Sequence, residues 1–367
     1  MQIDFANLKI QHNLYKEEIE EAILKVARDC NFIMGSQIDE LERNLEKFTG
    51  SKYAISCSSG TDALLLAMMA LDIQPDDEII TTPFTFFATA ETIAFLKAKP
   101  VFVDIDEKTY NIDPKKIEEK ISSKTKAIIP VSLYGQPADM DEINQIAKKY
   151  NLKVIVDGAQ SFGSTYKGES DSNLGDISCT SFFPAKPLGC YGDGGALFTN
   201  DEKLADKIKS LRLHGQSIRY HHQYIGMGGR LDTIQAAVLN VKLKYYEKDL
   251  KLRQDVAEKY TKALNAKNIE TPFVKNDRTS AWAQYSIRVE NRTELQTKLQ
   301  NLGIPTAVHY PMPLHVQECF KYLNLKEGDF PISEKVSKEI MSLPMNPYVS
   351  DEEIEFIVEN LAKELRC

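Results

Sequence analysis

Lys186 is a lysine without a charged neighbour in the sequence. Residues 181–190 read SFFPAKPLGC, so aromatic residues, prolines and small residues flank it. A buried ammonium loses its proton more easily than an exposed one, and the neutral amine that results is a nucleophile. A lysine is more often a solvated surface charge. The apolar flanks favour the reactive amine here.

Asp157 is a second candidate for chemistry, because it ends the apolar run KVIVD. A carboxylate in that position is costly unless it meets a cation or several hydrogen-bond donors. The alternative is an aspartate that caps the turn after the strand. The first interpretation predicts a cationic partner for Asp157.

The segment SSGTDALLLA predicts an anion site. Small residues and Gly60 precede a helix that Thr61 and Asp62 would open. Free amides at a helix N-terminus, together with hydroxyl groups, bind phosphate well. A simple helix cap is the alternative interpretation.

The segment TTPFTFFATAE supplies an aromatic candidate, Phe86, which could form a flat wall for a ring, whereas Phe84 and Phe87 are predicted to be core residues. A phosphate site, an aromatic wall, a buried acid and a reactive amine together fit pyridoxal 5'-phosphate. In this hypothesis Lys186 bonds to the cofactor aldehyde, and Asp157 keeps the pyridine nitrogen protonated.

The elements that must position these residues are seven short apolar strands between residues 53 and 200, which alternate with helical stretches. This pattern is typical of an α/β domain with a mostly parallel sheet, which binds ligands at the carboxyl ends of its strands. A helix is predicted over 201–212, and one long helix from near Leu231. Later strand and helix patterns predict a small α+β domain. We predict a large domain at 1–250 and a small one at 251–367.

Composition narrows the functional classes. The 367 residues are 43% hydrophobic and carry a formal charge of −8, which supports a sizeable core and argues against a nucleic-acid surface. No apolar run is long enough to span a membrane, and the N-terminus does not resemble a signal peptide, so we expect a cytoplasmic protein. The cysteines form no C-x-x-C pair, so we expect free thiols and no metal site at Cys30, Cys57, Cys179, Cys190, Cys319 and Cys367.

The motifs VDGAQSFGSTYKG and LGDISCTSFFPAKPLGCYGDGGALFTND resemble the DegT/DnrJ/EryC1/StrS family of sugar-nucleotide aminotransferases, within the fold-type I pyridoxal-phosphate enzymes. The resemblance covers nearly the whole chain. It implies a large domain with a mostly parallel seven-stranded sheet and a smaller C-terminal α+β domain. It also implies a homodimer with shared active sites.

The resemblance implies a role for each cofactor residue. Lys186 and Asp157 keep the roles given above, and Gln160 would hydrogen-bond the phenolic oxygen of the cofactor. Ser181 would join the phosphate site, and Ala159 would lie behind the ring. The implied cofactor-binding set is Gly60, Thr61, Phe86, Asp157, Ala159, Gln160, Ser181 and Lys186.

For the sugar nucleotide the resemblance points to two segments, RYHH and VHYPMPLH. An arginine suits a pyrophosphate because its fork donates to two oxygens at once. Partly exposed rings are the alternative interpretation for the histidines. Gly228 departs from the family, which commonly has an asparagine there that reaches the cofactor phosphate of the neighbouring subunit. The implied substrate-binding residues are Arg219, Tyr220, His221, His222, His309 and Tyr310.

The implied reaction moves the amino group of L-glutamate onto the 3-keto carbon of a UDP-linked 2-acetamido sugar, with pyridoxamine 5'-phosphate as the intermediate and 2-oxoglutarate as the by-product. Such sugars serve lipid A, O-antigen or other surface glycans. The alternative is a 4-keto-6-deoxy sugar linked to UDP or dTDP. The sequence leaves open the base, the substituent on carbon 6 and the choice between carbons 3 and 4. Related dehydratases have a histidine where Lys186 stands, which argues against that chemistry.

Overall fold

The structure is a computed structural model that describes residues 1 and 3–365, and a seven-stranded sheet lies at its centre. The strands are β1 Tyr53–Cys57, β2 Glu78–Thr81, β3 Lys99–Phe102, β4 Thr125–Ile128, β5 Lys153–Asp157, β6 Thr165–Tyr166, β7 Glu169–Ser170, β8 Ile177–Ser181, β9 Gly195–Thr199, β10 Gln216–Ile218, β11 His221–His222, β12 Tyr285–Arg288 and β13 Ile340–Leu343. The α-helices are α1 Leu8–Asp29, α2 Ser36–Thr49, α3 Gly60–Ala70, α4 Ala88–Phe95, α5 Met140–Tyr150, α6 Glu202–Leu211, α7 Thr233–Leu243, α8 Tyr246–Asn265, α9 Arg292–Asn301, α10 Pro331–Glu339 and α11 Asp351–Glu364.

The strand order of the sheet is β1-β9-β8-β5-β4-β2-β3. The pairs from β8 through β3 are parallel, and β9 runs antiparallel to both of its neighbours. The prediction of a mostly parallel seven-stranded α/β sheet is confirmed. The first residue of β9, Gly195, pairs with Cys57 and Ser181, which end β1 and β8. The start of β9 therefore lies at the same edge as the carboxyl ends of the parallel strands.

Burial explains why these short segments are strands and helices. Four of the five residues of β5 are buried, as expected for a central strand covered on both faces. Helix α3 is buried on most sides because it packs between the sheet and its neighbours α4 and α6. Its N-cap is Ser59, whose hydroxyl accepts the N–H of Asp62 at 3.0 Å. The cap fixes where the helix begins, and hence which amides face outward.

The long helix predicted from near Leu231 is two helices, α7 and α8, and the prediction of one helix is wrong. The break has no glycine or proline, and tertiary contacts account for it. Tyr245, which lies between the two helices, has φ −107° and ψ 0°. Its ring stacks on Tyr15 of α1 with 4.2 Å between centroids, and the neighbouring Lys244 pairs with Glu18 of α1 at 3.1 Å.

The C-terminal part has its own apolar core, formed mainly by α8, α9, α11 and the antiparallel pair β12–β13. The predicted boundary at residue 250 lies inside α8 and stays a prediction. This part is joined to the sheet by Asp104, which follows β3. The Asp104 carboxylate accepts the N–H groups of Ile332 and Ser333 at 3.1 and 3.0 Å, at the start of α10. We call this contact the Asp104 junction.

The five cysteines between Cys30 and Cys319 are free thiols, whereas Cys367 lies outside the described residues. Within residues 1 and 3–365, no helix has the length and apolar character needed to cross a membrane. The same residues contain no group of three or more histidine, cysteine or acidic side chains arranged to hold a metal ion.

Candidate active site

Asp157 ends β5, and its carboxylate is only 5% exposed. One oxygen accepts the hydroxyl of Thr89 at 2.7 Å, and the other accepts the backbone N–H of Ala159 at 3.3 Å. Burial raises the pKa of Asp157, while these two hydrogen bonds and the charge of Lys186 oppose that shift. The carboxylate is therefore held in one orientation, and the cost of burying its charge is partly offset.

Lys186 lies in the turn after β8, where its backbone N–H donates to the carbonyl of Phe183 at 2.8 Å. The structure records no hydrogen bond or ion pair for its Nζ atom within the described part of the chain. Burial lowers the pKa of Lys186, and the charge of Asp157 acts in the opposite direction. The two groups are thus close enough for each to alter the ionisation of the other. Burial therefore favours the neutral form of an amine that lies beside a buried acid.

Gln160 and Tyr310 meet beside Asp157. The side-chain amide of Gln160 donates to the Tyr310 hydroxyl at 2.9 Å, and its oxygen accepts the backbone N–H of Tyr134 at 2.6 Å. Gln160 keeps a second N–H for a ligand. The ring of Phe86, which is 55% exposed, lies 6.0 Å from that of Tyr310. Tyr310, predicted as a sugar residue, therefore lies against residues predicted to hold the cofactor.

His309 precedes Tyr310 and has a neutral ring near pH 7. Its Nδ1 lies 2.8 Å from the hydroxyl of Ser342. Burial, reinforced by the charge of Lys186, lowers the pKa of His309 to about 4. The backbone carbonyl of His309 also accepts the hydroxyl of Tyr134. The Tyr134 contact ties the C-terminal part of the chain to the segment that follows β4.

Gly60, Thr61 and Ser181 lie together at the start of α3. The backbone N–H groups of Gly60 and Thr61 have no recorded acceptor in the chain that the structure describes. A Cβ atom on Gly60 would lie 2.6 Å from Cβ and 3.1 Å from Oγ of Ser181, so only glycine allows this close approach. The result is a small pocket of free N–H groups and a hydroxyl, which suits a phosphate.

The four hairpin residues predicted to bind the sugar are not brought to this cluster. They lie on or between β10 and β11, and all four are exposed. The Arg219 guanidinium lies over the Tyr220 ring at 5.1 Å, and Nδ1 of His222 lies 2.8 Å from the carbonyl of His214. The hydroxyl of Ser217 lies 3.3 Å from Nδ1 of His221. The recorded side-chain contacts of these four residues are with one another or with residues 214–217.

Gly228, the departure from the family pattern, faces His214. A Cβ atom on Gly228 would lie 3.1 Å from Cε1 and 3.2 Å from Nε2 of the His214 ring. The imidazole therefore fills the space into which a side chain at position 228 would extend.

Two residues that hydrogen-bond to Asp157, Thr89 through its side chain and Ser132 through its backbone, were not identified from the sequence. Thr89 comes from α4, 68 positions away from Asp157. The backbone N–H of Ser132 donates to the Asp157 carbonyl at 3.0 Å. Each sits in a segment where one hydroxyl residue has no distinguishing pattern, so no signal in a single sequence separates them from surface serines and threonines.

The described residues fit pyridoxal phosphate. An unpaired amine, a buried acid, a residual amide N–H, a phosphate pocket and an exposed aromatic ring all lie at one edge of the sheet. The fold and the site define a pyridoxal-phosphate-dependent transferase.

The chain belongs to the DegT/DnrJ/EryC1/StrS aminotransferase family, whose model matches residues 13–362. The UDP-2-acetamido-2-deoxy-3-oxo-D-glucuronate aminotransferase of Pseudomonas aeruginosa is 51% identical over 97% of this chain and 98% of its own length. The dTDP-3-amino-3,6-dideoxy-alpha-D-galactopyranose transaminase of Aneurinibacillus thermoaerophilus is 42% identical over 97% of this chain and 98% of its own.

A solved structure from Bacillus subtilis with bound pyridoxamine phosphate superposes with a TM-score of 0.93. It is 31% identical, and the match covers 100% of this chain and 86% of that one. Pyridoxal phosphate is therefore the cofactor of this enzyme, and the prediction of an aminotransferase is confirmed.

Proposed function

We propose that this enzyme moves the amino group of L-glutamate onto the 3-keto carbon of a UDP-linked 2-acetamido sugar, with 2-oxoglutarate as the by-product. The observation that carries the proposal is that the Lys186 amine lies close enough to the buried carboxylate of Asp157 for each to alter the pKa of the other. The identity of 51% with a UDP-3-oxo-sugar aminotransferase supports the substrate class.

The residues around Asp157 would hold the cofactor. Asp157 would accept a hydrogen bond from the protonated ring nitrogen, and the remaining N–H of Gln160 would donate to the phenolic oxygen. The Phe86 ring would cover one face of the cofactor, and the small Ala159 would lie on the other face. When bound, the cofactor supplies an electron sink for the carbanion at the reacting carbon.

The phosphate would be held at the start of α3. The free N–H groups of Gly60 and Thr61 point outward from the first turn, where the helix dipole also favours an anion. The hydroxyl of Ser181 adds a third donor. These three donors would hold the phosphate in one place and so keep the cofactor ring opposite Asp157.

Lys186 would carry the proton. Its Nζ takes a proton from the α-carbon of glutamate, and in the second half of the reaction it delivers a proton to the sugar carbon that receives the nitrogen. Burial lowers the pKa of this amine, which favours the neutral form that the first step requires. His309 lies beside Lys186 as a neutral ring, so it adds no charge that would compete with the substrate.

The sugar nucleotide would bind between two subunits. Tyr310 and His309 lie in the same chain as Lys186, whereas the Arg219–His222 hairpin extends away from that cluster. The hairpin is exposed and partly apolar, since Ile218 is 74% and Tyr220 78% exposed. A homodimer would let Arg219 of one subunit donate to the diphosphate bound in the other. A cytoplasmic location stays a prediction from the sequence.

The alternative is a 4-keto-6-deoxy sugar linked to UDP or dTDP. The Aneurinibacillus relative is named for a dTDP sugar, which favours keeping dTDP among the candidates. The names of both relatives, however, place the nitrogen or the ketone on carbon 3. We therefore place the reaction at carbon 3.

Product analysis tests the proposal. The enzyme is loaded with pyridoxal phosphate and given L-glutamate with UDP- and dTDP-linked 3-keto and 4-keto sugars that partner enzymes generate in the same tube. Mass spectrometry should show an amino sugar from the UDP-linked 3-keto compound. Preferential amination of a 4-keto sugar would contradict the choice of carbon 3.

The Lys186→Ala variant tests the role of the amine. It should lose the visible absorbance of lysine-bound cofactor and all turnover, because no other amine lies beside Asp157 in the described chain. Lys203→Ala, which changes an exposed lysine of α6, is the matched control and should behave like the wild type. Transamination by Lys186→Ala at the wild-type rate would show that the Lys186 amine does not carry the proton.

A further inference from the structure

A second buried carboxyl group, that of Asp171, lies behind Asp157. Asp171 follows β7 in a short turn, and it is only 1% exposed. One of its oxygens accepts the hydroxyl of Ser132 at 3.0 Å, and the other accepts the hydroxyl of Ser161. Its own N–H donates to the carbonyl of Ser164 at 3.0 Å. Nothing in the mechanism proposed above uses this group.

The two serines bound by Asp171 belong to the segments on either side of Asp157. Ser132 uses its backbone N–H to hold the Asp157 carbonyl at 3.0 Å, and Ser161 directly follows Gln160. A Cβ atom on Gly158 would lie 3.2 Å from an Asp171 oxygen. Asp171 therefore lies against the backbone of the residue that follows Asp157. It joins the segment of Ser132, which holds the Asp157 backbone, to the segment whose Ala159 N–H binds the Asp157 carboxylate.

The negative charge of Asp171 also affects the pKa of Asp157. The pKa of Asp171 is raised to about 6, mainly because the group is buried; the serine hydrogen bonds and Arg278 oppose this rise, and the charge of Asp157 adds to it. Arg278 forms ion pairs with Asp277 and Asp139, so its positive charge is not available to Asp171 alone. At neutral pH and above, Asp171 is thus largely ionised. Repulsion between two carboxylates is mutual, so an ionised Asp171 makes Asp157 a stronger proton acceptor.

We propose that Asp171 is a positioning residue that acts on the cofactor ring nitrogen through Asp157. It braces the two segments that flank Asp157, and its negative charge favours a positively charged, protonated ring nitrogen. The inference rests on the proposed role of Asp157 opposite that nitrogen. It predicts that loss of the Asp171 charge weakens binding of a cofactor with a ring nitrogen more than binding of one without.

The test compares two cofactors on the apoenzyme. One is pyridoxal phosphate, and the other is its 1-deaza analogue, in which a carbon replaces the ring nitrogen. Dissociation constants are measured at pH 8 by titration, with the visible absorbance or quenched protein fluorescence as the signal. The wild type should prefer pyridoxal phosphate, and Asp171→Asn should reduce that preference on the order of tenfold, as expected for two charges at short range in a protein interior.

Controls separate charge from structure. Asp171→Ser, a smaller neutral replacement, should reduce the preference as Asp171→Asn does. Glu169→Gln removes an exposed carboxylate two residues away and should leave both constants unchanged. At pH 5, where Asp171 is mostly protonated, the wild type should approach the Asp171→Asn variant.

Two outcomes would overturn the proposal. Equal weakening of both cofactors by Asp171→Asn would mean that Asp171 is structural only, and an unchanged preference would mean that its charge does not reach the nitrogen. Asp157→Asn is tested in parallel and should abolish the preference. If Asp157→Asn keeps the preference, the proposed role of Asp157 fails, and that failure is distinct from a failure of Asp171 alone.

Discussion

The ion pair between Arg212 and Glu42 allows a quantitative test of how the phosphate end of the site is built. Arg212, at the end of α6, is 3% exposed and donates to Glu42 of α2 at 2.5 Å. The same Glu42 oxygen accepts the backbone N–H and the hydroxyl of Ser56 in β1, at 2.9 and 2.8 Å. The pair thus joins two helices to the strand that leads into the Gly60 turn.

Glu42→Met removes the counter-ion and leaves a buried guanidinium uncompensated. Loss of one partner of a buried pair costs about 4 kcal/mol. Unfolding entropy near the melting temperature is about 2.1 cal/mol/K per residue, so the 367 residues correspond to about 0.8 kcal/mol/K. The melting temperature of the apoenzyme should therefore fall by about 5 °C, measured by circular dichroism or calorimetry.

Two further variants make the test decisive. Glu40→Met changes an exposed glutamate of the same helix and should shift the melting temperature by less than about 1 °C. The double variant Glu42→Met/Arg212→Met should recover much of the loss, because no buried charge is left unpaired. A fall of less than about 1 °C for Glu42→Met alone would refute the reasoning.

Three other predictions concern the site itself. Gly60→Ala should weaken binding of pyridoxal phosphate at least about tenfold in a titration, because the new Cβ would lie 2.6 Å from Cβ of Ser181; unchanged affinity would mean that the turn can shift freely. Thr89→Val removes a donor that lowers the pKa of Asp157, so that pKa should rise and the acid limb of the kcat/KM profile should move to higher pH. The stability of the apoenzyme should fall as pH drops from about 6.5 to about 4, because unfolded His309 takes up a proton that the folded ring resists; His309→Gln should flatten that part of the stability curve.

The strands and the proximity of Lys186 to Asp157 could be predicted from the sequence because buried segments have a recognisable local pattern of residues. Apolar runs mark buried strands, and a charged residue at the end of such a run is conspicuous. The same reasoning located the start of α3, where Ser59 caps the helix. A cap, unlike most tertiary contacts, depends on residues three apart in sequence.

Other features depend on contacts between distant segments, and the sequence does not record them locally. The break between α7 and α8 comes from Tyr15 and Glu18 of α1, about 230 positions earlier. Asp171 lies in the polar run ESDSN, which resembles a solvated loop, yet its carboxylate is buried. Burial of a polar group is decided by what covers it, so pattern reasoning missed Asp171.

The Asp104 junction has a consequence for how activity would be lost. His309 and Tyr310 come from the C-terminal part of the chain, whereas Lys186 and Asp157 belong to the central sheet. Asp104 fastens α10 to β3 through the N–H groups of Ile332 and Ser333, and it touches none of the reacting groups. Loosening this attachment would misplace the C-terminal wall of the cleft while leaving the amine and its acid in register. Such a variant would lose the transfer of nitrogen to the sugar before it lost the half-reaction with glutamate.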